Sequence, residues 1–533
     1  MSRSVLIYVT HPPFATQLEV AQRHLLAGDR VTVMGCDAEL LTCNWNQQYT
    51  ADRCAKCRAT RRVALSRLDR PVDVVPSLHL TDADRAELRG VPRTFPDVAA
   101  LKAYRVDEFD AGMATLSTLI DKFRDPALDV TAHPDLVYAH LLPSVAVFRS
   151  VQNYLAANRV DRVYLFNGRY NHTRPVLRAS QSRGVEFAVL EEGCNKSHYT
   201  VWENCTPHGR KSLQDDIAAT WERGAGDPAE RERVARAWFD TRSKGQEVHD
   251  RDIDRSYVTG QRPDLLPDGF DPAAHNVAVF NSSEDEWAAI GDEWAPTVYP
   301  NQLAGLTRLA ADLPRLGSHV RVYLRCHPHL ANTPMTAGLL RLSSPNLTVI
   351  PPDSPVGSYA LLRACRTVLT FGSTVGIEAV YFGKPSVLAN RAAYDHLGGT
   401  YNARTHDDVL DLIARPLDLK PVEPALVYAY YYATYGIPFR YYRKADEMYK
   451  EGTLNGRAYL EPLWSRAVWG VTRRLPLVMA ALNDRHRRHG YERLLGRTGR
   501  PANGCDSRSS AASGRSPGAG PRCCGAGRPR RAG

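Results

Sequence analysis

The chain has 533 residues, 43% of them hydrophobic and 24% charged, which is ordinary for a soluble globular protein and predicts two or three domains. Its net charge is +10, but residues 473–499 carry +5 and residues 500–533 carry +6, so residues 1–472 are close to neutral. This excludes an electrostatic basis for nucleic-acid binding by the main part of the chain. No apolar run approaches the ~20 residues of a membrane span, and the N-terminus has no secretory pattern, so we expect a cytoplasmic protein.

Residues 1–249 predict a Rossmann-like domain. The pattern of short apolar strands and amphipathic helices repeats along this part of the chain. The predicted strands are Ser4–Val9, Arg30–Met34, Arg162–Phe166 and Val185–Leu190, and the predicted helices are Phe14–Ala27, Pro96–Phe123, Pro134–Asn158 and Thr173–Arg183.

Residues 250–275, rich in Asp, Pro and Gly, are predicted to form a linker to a second Rossmann-like domain at residues 276–425. Strands separated by helix-sized spacers favour a parallel sheet wrapped by helices. We therefore predict an α/β chain with two doubly wound domains that face an interdomain cleft. The predicted strands of the second domain are Asn276–Phe280, His319–Leu324, Leu347–Ile350, Arg366–Thr370 and Ser386–Leu388.

Residues 426–499 are predicted to be helical, first tyrosine-rich and then basic. We expect the tyrosines of Tyr428–Tyr442 to pack between the domains rather than to form a sugar platform. Residues 464–499 mix apolar and arginine residues, which fits either a basic amphipathic segment on an anionic membrane or a closing helix packed on the first domain. Residues 500–533 have almost nothing to bury and are predicted to be disordered.

Polar motifs fall at the predicted strand ends, where doubly wound sheets bind ligands. Gly372, Ser373 and Thr374 follow a strand and precede a helix, a pattern that directs N–H groups and hydroxyls at a phosphate. Glu378, one turn further on, could accept hydrogen bonds from ribose hydroxyls. The alternative is an ordinary strand–turn–helix with a capping residue.

Two further strands of the second domain end in polar residues. Ser282 and Ser283 form a second anion-compatible turn, although the same residues fit a helix N-cap. Arg325 offers a bidentate fork for a phosphate or a base carbonyl, and His327 offers a donor of adjustable charge.

In the first domain, Glu191-Glu192-Gly193 follows the strand Val185–Leu190. Burial and mutual repulsion would raise the pKa of at least one carboxyl, which suits a general base for an attacking hydroxyl. A surface turn closed by glycine is the alternative. Asn167 and Arg169, after the preceding strand, would lie beside the carboxyl pair and orient an acidic acceptor.

Four cysteines with the spacing C-x6-C-x10-C-x2-C form an insert at residues 36–57. Four thiolates could close a structural zinc site, and reduced free thiols are the alternative. The cysteines are Cys36, Cys43, Cys54 and Cys57.

With these motifs, the chain resembles bacterial GT-B glycosyltransferases of the capsule and surface-polysaccharide biosynthesis group. The resemblance covers roughly residues 160–445 and depends on the order of several motifs rather than on any one. They are Phe166-Asn167-Gly168-Arg169, Glu191-Glu192-Gly193, Phe280 to Glu286, Arg325-Cys326-His327-Pro328, Ile350 to Ser354, Phe371 to Ala379 and Tyr435-Gly436-Ile437-Pro438-Phe439.

The resemblance implies that the first domain binds the acceptor and the second binds a CMP- or UDP-linked sugar donor. Glu191 or Glu192, with Glu192 preferred, would be the base, and Arg325 and His327 would contact the nucleotide. The Ser373 turn would stabilise the leaving phosphate without a catalytic metal. The acceptor would be a surface glycan or its lipid-linked primer, with peripheral contact at the cytoplasmic membrane face through residues 464–499.

Three other functions fit the same motifs. A glycerophosphotransferase of the teichoic-acid polymerase kind would share the Arg-x-His-Pro element. A nucleotide-sugar epimerase would need no acceptor. A non-catalytic subunit of a polysaccharide assembly complex would retain the fold alone.

Overall fold

The computed structural model describes residues 2–10, 14–43, 45–245, 260–444 and 452–496. The predicted tail at residues 500–533 and the start of the predicted linker, residues 250–259, lie outside these ranges. Within the described ranges, no helix has the length and apolarity that crossing a membrane requires.

The strands, in chain order, are Ser4–Val9 (β1), Arg30–Gly35 (β2), Asp73–Pro76 (β3), Arg162–Phe166 (β4), Glu186–Glu192 (β5), His198–Glu203 (β6), His275–Phe280 (β7), Val320–Arg325 (β8), Leu347–Ile350 (β9), Thr367–Thr370 (β10), Ser386–Leu388 (β11), Tyr401–Asn402 (β12), Ile437–Pro438 (β13), Tyr442–Lys444 (β14), Gly452–Leu454 (β15) and Arg457–Tyr459 (β16).

The α-helices are Ala15–Leu26 (α1), Ala51–Leu65 (α2), Asp82–Arg89 (α3), Val98–Ala103 (α4), Ala111–Phe123 (α5), Pro134–Ala157 (α6), Arg174–Ser182 (α7), Arg210–Arg223 (α8), Pro228–Ser243 (α9), Gln302–Asp312 (α10), Pro334–Leu339 (α11), Ser358–Ala364 (α12), Val375–Tyr381 (α13), His406–Ala414 (α14), Glu423–Thr434 (α15), Leu463–Thr472 (α16) and Pro476–Leu495 (α17).

The first domain is built on a sheet of order β13-β6-β5-β4-β1-β2-β3. Strands β1 to β5 pair in parallel, and β6 and β13 close one edge in antiparallel orientation. The central strand β1 is apolar on both faces because helices cover both: Leu6 and Tyr8 pack into one buried cluster and Ile7 and Val9 into the other.

The second domain is built on a parallel sheet of order β12-β11-β10-β7-β8-β9. Its central strand β7 is likewise buried on both faces, with Val277 and Val279 on one side and Ala278 and Phe280 on the other. In each sheet the chain first adds strands on one side of the first strand and then returns to add the next strands on its other side. This is the doubly wound arrangement. The predicted α/β, GT-B-like fold class is confirmed, while the predicted domain bounds stay predictions.

The C-terminal part of the chain returns to the first domain. The carboxylate of Glu19 on α1 accepts the backbone N–H groups of Arg440, Tyr441 and Tyr442 at 2.9, 2.9 and 3.0 Å. Helix α15 packs between α8 and α9 on one side and α13 on the other. Tyr428 is buried there between Trp238 of α9 and Tyr394 of the second domain, with ring centroids 6.0 and 5.6 Å away.

One predicted helix is interrupted. The pattern over Pro96–Phe123 forms α4 and α5 separately, and the chain between them turns back on itself. A Cβ atom at Gly112 would lie 1.6 Å from the backbone oxygen of Leu101, so this close approach requires glycine.

Candidate active site

The crossing point of the second sheet lies between its neighbouring strands β7 and β10. Asn281 follows β7, and Gly372 and Ser373 follow β10, so both turns emerge at the same sheet edge. Ligands of doubly wound sheets bind in this crevice. A cavity of about 110 Å³ opens here, and its polar lining includes Arg242, Asn281, Arg325, His327, Ser358, Tyr359, Ser373, Thr374 and Glu378.

Two buried donors in this lining have no hydrogen-bond partner among the described residues: Asn281 Nδ2 and Arg325 Nε. The exposed fractions of the two side chains are only 1% and 2%. A buried unpaired donor costs about 1–3 kcal/mol, and a bound ligand, ion or water at this position would satisfy it. Asn281 also orders the neighbouring turn, because its Oδ1 accepts the His327 N–H at 2.8 Å.

The guanidinium fork of Arg325 is already occupied. Its Nη1 donates to the carbonyl of Pro351, and its Nη2 donates to the carbonyl of Ser354 at 3.1 Å. The predicted bidentate contact with a phosphate or base is therefore not available in this arrangement, and only Nε faces no acceptor. The arginine instead fixes the loop after β9 against the end of β8.

The two serines of the predicted anion-binding turn, Ser282 and Ser283, do not line this cavity. The side-chain amide of Gln302 on α10 holds Ser282, donating to Ser282 Oγ at 3.1 Å and accepting the Ser282 N–H at 2.9 Å. Ser283 precedes a short 3-10 helix without capping it through its side chain. Ser282 lines an adjacent cleft of about 300 Å³ together with Phe371 and Arg391.

The turn after β10 has a backbone conformation that requires glycine at position 372. Gly372 has φ +121°, and a Cβ atom there would lie 2.6 Å from the backbone oxygen of Arg391. Ser373 Oγ accepts the N–H of Val375 at 3.3 Å. Ser373 and Thr374 line the cavity at the start of α13.

Glu378, predicted to bind ribose, is 1% exposed and pairs with Arg242 of α9, whose Nε donates to Glu378 Oε1 at 2.9 Å. Arg242 adds a cation to the cavity that sequence reasoning missed. No local signal could have found it, since it lies 136 residues from its partner. Asn281 was also missed as a site residue, although its position after a buried strand was a signal.

The carboxyl pair of the first domain lies at the end of β5. Asn167 Nδ2 donates to Glu191 Oε2 at 2.7 Å, and Asn167 has φ +64° in the turn after β4. Burial, reinforced by the charge of Glu192, raises the pKa of Glu191 to about 7. Gly193 allows the return into β6, because a Cβ atom there would lie 2.5 Å from His198 Cβ.

Arginines after β4 connect this turn to the second domain. Arg169 Nη1 donates to the Glu286 carbonyl at 2.8 Å, and Arg174 Nη1 donates to the Ile290 carbonyl at 2.9 Å. The segment after β7 is thereby held against the first domain on the side of Asn167 and Glu191. These two hydrogen bonds join the turn after β4 to residues 286–290 of the second domain.

The four insert cysteines line one small cavity of about 20 Å³. Cys54 and Cys57 lie on α2 rather than in a loop, and burial raises the pKa of Cys43 to about 12. Cys54 Sγ accepts from Asn46 Nδ2 at 3.1 Å. In the described part of the chain, no three His, Cys, Asp or Glu residues are arranged to hold a metal ion. Zinc binding stays a prediction.

No protein-family profile matches the chain, and no curated protein matches it. Solved structures that resemble it include KpsC of Thermosulfurimonas dismutans, a β-Kdo 2,4 transferase, at 14% identity and TM-score 0.32 over 61% of this chain and 87% of that one. The calicheamicin glycosyltransferase CalG4 has 12% identity and TM-score 0.24, over 81% and 94% of the two chains.

The UDP-GlcNAc 2-epimerase of Methanocaldococcus jannaschii, solved with UDP-GlcNAc and UDP, has 9% identity and TM-score 0.23, over 80% of this chain and 98% of that one. These scores are too low to assign an activity to the chain. The fold class follows from the strand orders of its own two sheets.

Proposed function

We propose that the protein is a glycosyltransferase that moves a sugar from a nucleotide-sugar donor, CMP- or UDP-linked, to an acceptor hydroxyl. The observation that carries the proposal is the pair of buried, unpartnered donors, Asn281 Nδ2 and Arg325 Nε, at the crossing point of the second sheet. A phosphate or a nucleotide carbonyl supplies the acceptors that these atoms lack.

The first domain supplies the base. A carboxylate whose pKa lies near 7 is half ionised at neutral pH, which suits proton abstraction from a hydroxyl. We therefore assign the base to Glu191, in place of the Glu192 preferred from the sequence. Asn167 orients Glu191 by its 2.7 Å hydrogen bond.

In the proposed reaction, Glu191 takes the proton of the acceptor hydroxyl as its oxygen attacks the anomeric carbon. The bond between that carbon and the phosphate oxygen of the nucleotide breaks, and the phosphate leaves with the bonding pair. Asn281, Arg325 Nε, His327 and the Ser373 turn stabilise the developing charge, while the charge of Arg242 is balanced by Glu378. Cations and N–H groups take the place of a catalytic metal in this scheme.

The acceptor we propose is a growing capsular or surface polysaccharide or its lipid-linked primer. Such an acceptor places the reaction at the cytoplasmic face of the membrane. Support for this choice comes from the sequence motifs named above.

The test is product analysis by mass spectrometry after incubating the full chain with candidate donors and glycan acceptors. The expected product gains one glycosyl unit, and Glu191→Gln reduces the transfer rate by about 10²–10⁴-fold while donor binding is kept. Glu186→Gln, at the exposed start of the same strand, is the matched control and retains activity.

A product that gains glycerophosphate would replace this proposal with a glycerophosphotransferase. Conversion of the donor to its epimer without an acceptor would replace it with an epimerase. Full transfer activity in Glu191→Gln would remove the assigned base.

A further inference from the structure

Large hydrophobic side chains that are exposed to solvent concentrate on α16 and the first turn of α17. Leu463, Trp464 and Leu477 are 80%, 61% and 85% exposed. We call this region, residues 463–478, the α16–α17 surface. Soluble domains rarely expose so many apolar side chains together unless the patch binds something.

The apolar side chains of α16 form one stripe. Leu463, Trp464, Val468 and Val471 recur at the spacing that places them on one side of a helix. Ser465, which lies outside this stripe, is buried and donates to Glu461 at 2.8 Å. Helix α16 packs on α2, and the stripe residues, which are 52–80% exposed, face solvent.

The end of α17 fixes the orientation of this surface. Leu494 and Leu495 are buried in the core of the first domain, and Asn483 Oδ1 accepts the N–H of Ala51 at the start of α2. Arg473 pairs with Asp52 of α2 at 2.7 Å. The C-terminal half of α17 is thus the closing helix that the sequence also allowed, while the apolar part before it stays uncovered by the described residues.

The segment that carries the stripe is basic, although Arg473 is already paired with Asp52 of α2. Arg466, Arg473 and Arg474 lie within residues 463–483, which contain no acidic residue. An apolar stripe flanked by arginines complements a surface with an apolar interior and anionic headgroups. The chain's own residues 500–533 do not fit as a cover, since they carry +6 and contain no Leu, Ile, Val, Phe, Trp or Met.

We propose that the α16–α17 surface docks on an anionic lipid bilayer. Trp464 and Leu477 enter the boundary between headgroups and acyl chains, and Arg474 contacts lipid phosphates. This locates the predicted membrane contact in residues 463–478 rather than in the whole of residues 464–499. The proposal does not depend on transferase activity.

The experiment is co-sedimentation of the full chain with vesicles of phosphatidylcholine containing 30% phosphatidylglycerol (roughly the anionic content of a cytoplasmic leaflet). We expect the wild type to bind these vesicles, and to bind pure phosphatidylcholine vesicles more weakly. The variant Trp464→Ser with Leu477→Ser should lower the partition coefficient by about tenfold or more. Leu419→Ser, which removes a 64% exposed leucine of the second domain, should leave it within about twofold of wild type.

A second variant tests the charge without touching the stripe. Arg474→Glu should weaken binding to the anionic vesicles and leave binding to the neutral vesicles unchanged. Circular dichroism melts establish that each variant is folded.

Three results would overturn the proposal. The wild type could fail to bind the anionic vesicles. The double variant could bind them as well as the wild type, which would assign binding to the arginines of residues 500–533. Light scattering could instead show a dimer that the double variant converts to a monomer, which would make the surface a contact between two copies of the chain.

Discussion

Arg169 in the turn after β4 donates a hydrogen bond across the interdomain cleft to the backbone carbonyl of Glu286, at 2.8 Å. Two residues earlier, Asn167 donates to Glu191 at 2.7 Å. One short turn therefore orients the carboxyl of the first domain and contacts the segment that follows β7 in the second. The turn thereby links the proposed base to residues 286–290, which follow the Asn281 turn in the chain.

The rate of transfer should depend on the ionisation of Glu191. Below its pKa of about 7 the carboxyl is protonated and cannot accept the proton of the acceptor. We expect kcat/KM to be about tenfold lower at pH 6 than at pH 8, and to recover when the enzyme is returned to pH 8. Initial rates measured across this range check the prediction, and a flat profile would contradict it.

Asn281→Asp should weaken nucleotide binding. The substitution keeps an acceptor oxygen for the His327 N–H but replaces the unpartnered Nδ2 donor with a negative charge. We expect a rise in Kd of about 10–100-fold, because hydrogen bonds to charged groups contribute about 1.5–3 kcal/mol.

Isothermal titration measures this Kd. Asn301→Asp is the matched control, since Asn301 caps α10 by accepting the Ala304 N–H and aspartate caps equally well. Equal affinity in Asn281→Asp and the wild type would count against the cavity as the nucleotide site.

Arg242→Met should destabilise the protein. It would leave the buried carboxylate of Glu378 without its ion-pair partner, at a cost of about 3–5 kcal/mol. Thermal unfolding should show a clear fall in Tm, which Arg242→Met combined with Glu378→Met partly restores.

The matched control for this pair is on the same helix. Arg236 pairs with Glu232 on the exposed side of α9, and Arg236→Met should cost less than about 1 kcal/mol. Equal falls in Tm for Arg236→Met and Arg242→Met would contradict the prediction that the buried pair with Glu378 stabilises the fold more than the exposed pair.

If the cysteine cavity binds zinc, the purified full chain should contain about one zinc ion per molecule by elemental analysis. Cys54→Ser should lose the metal and lower Tm, because structural zinc stabilises the fold that binds it. Cys205→Ser, a half-buried cysteine outside the cavity, should keep it. A wild-type protein isolated without any metal from zinc-supplemented medium would favour free thiols.

Short apolar runs bounded by turn residues were enough to predict much of the fold. The strands Arg162–Phe166, Leu347–Ile350 and Ser386–Leu388 have the bounds predicted from sequence. Parallel strands that are buried on both faces are apolar along their whole length, so their own residues reveal them. The antiparallel strands β6 and β13 were not predicted, and β13 is two residues long and defined by its partner. The prediction that residues 426–499 are helical was wrong for β13 to β16, of which β14, β15 and β16 form a small antiparallel sheet.

The site was predictable where its residues follow a strand, and not where they come from a distant helix. Glu191, His327 and Ser373 emerge at strand ends as expected. Arg242 reaches the cavity only because α9 packs beside α13, and the Arg325 fork is occupied by carbonyls of a loop about 26 residues away. Such contacts depend on the packing of separate elements, which local patterns do not encode.

The central claim is that the cavity between β7 and β10 binds the nucleotide of an activated sugar. Its most direct test is thermal unfolding of the full chain with CMP, UDP, GDP and CDP. We predict that CMP or UDP raises Tm, since a ligand at a hundred times its Kd adds about 2.7 kcal/mol to the stability, and that Asn281→Asp removes the shift. No change in Tm with any of the four nucleotides would contradict the account.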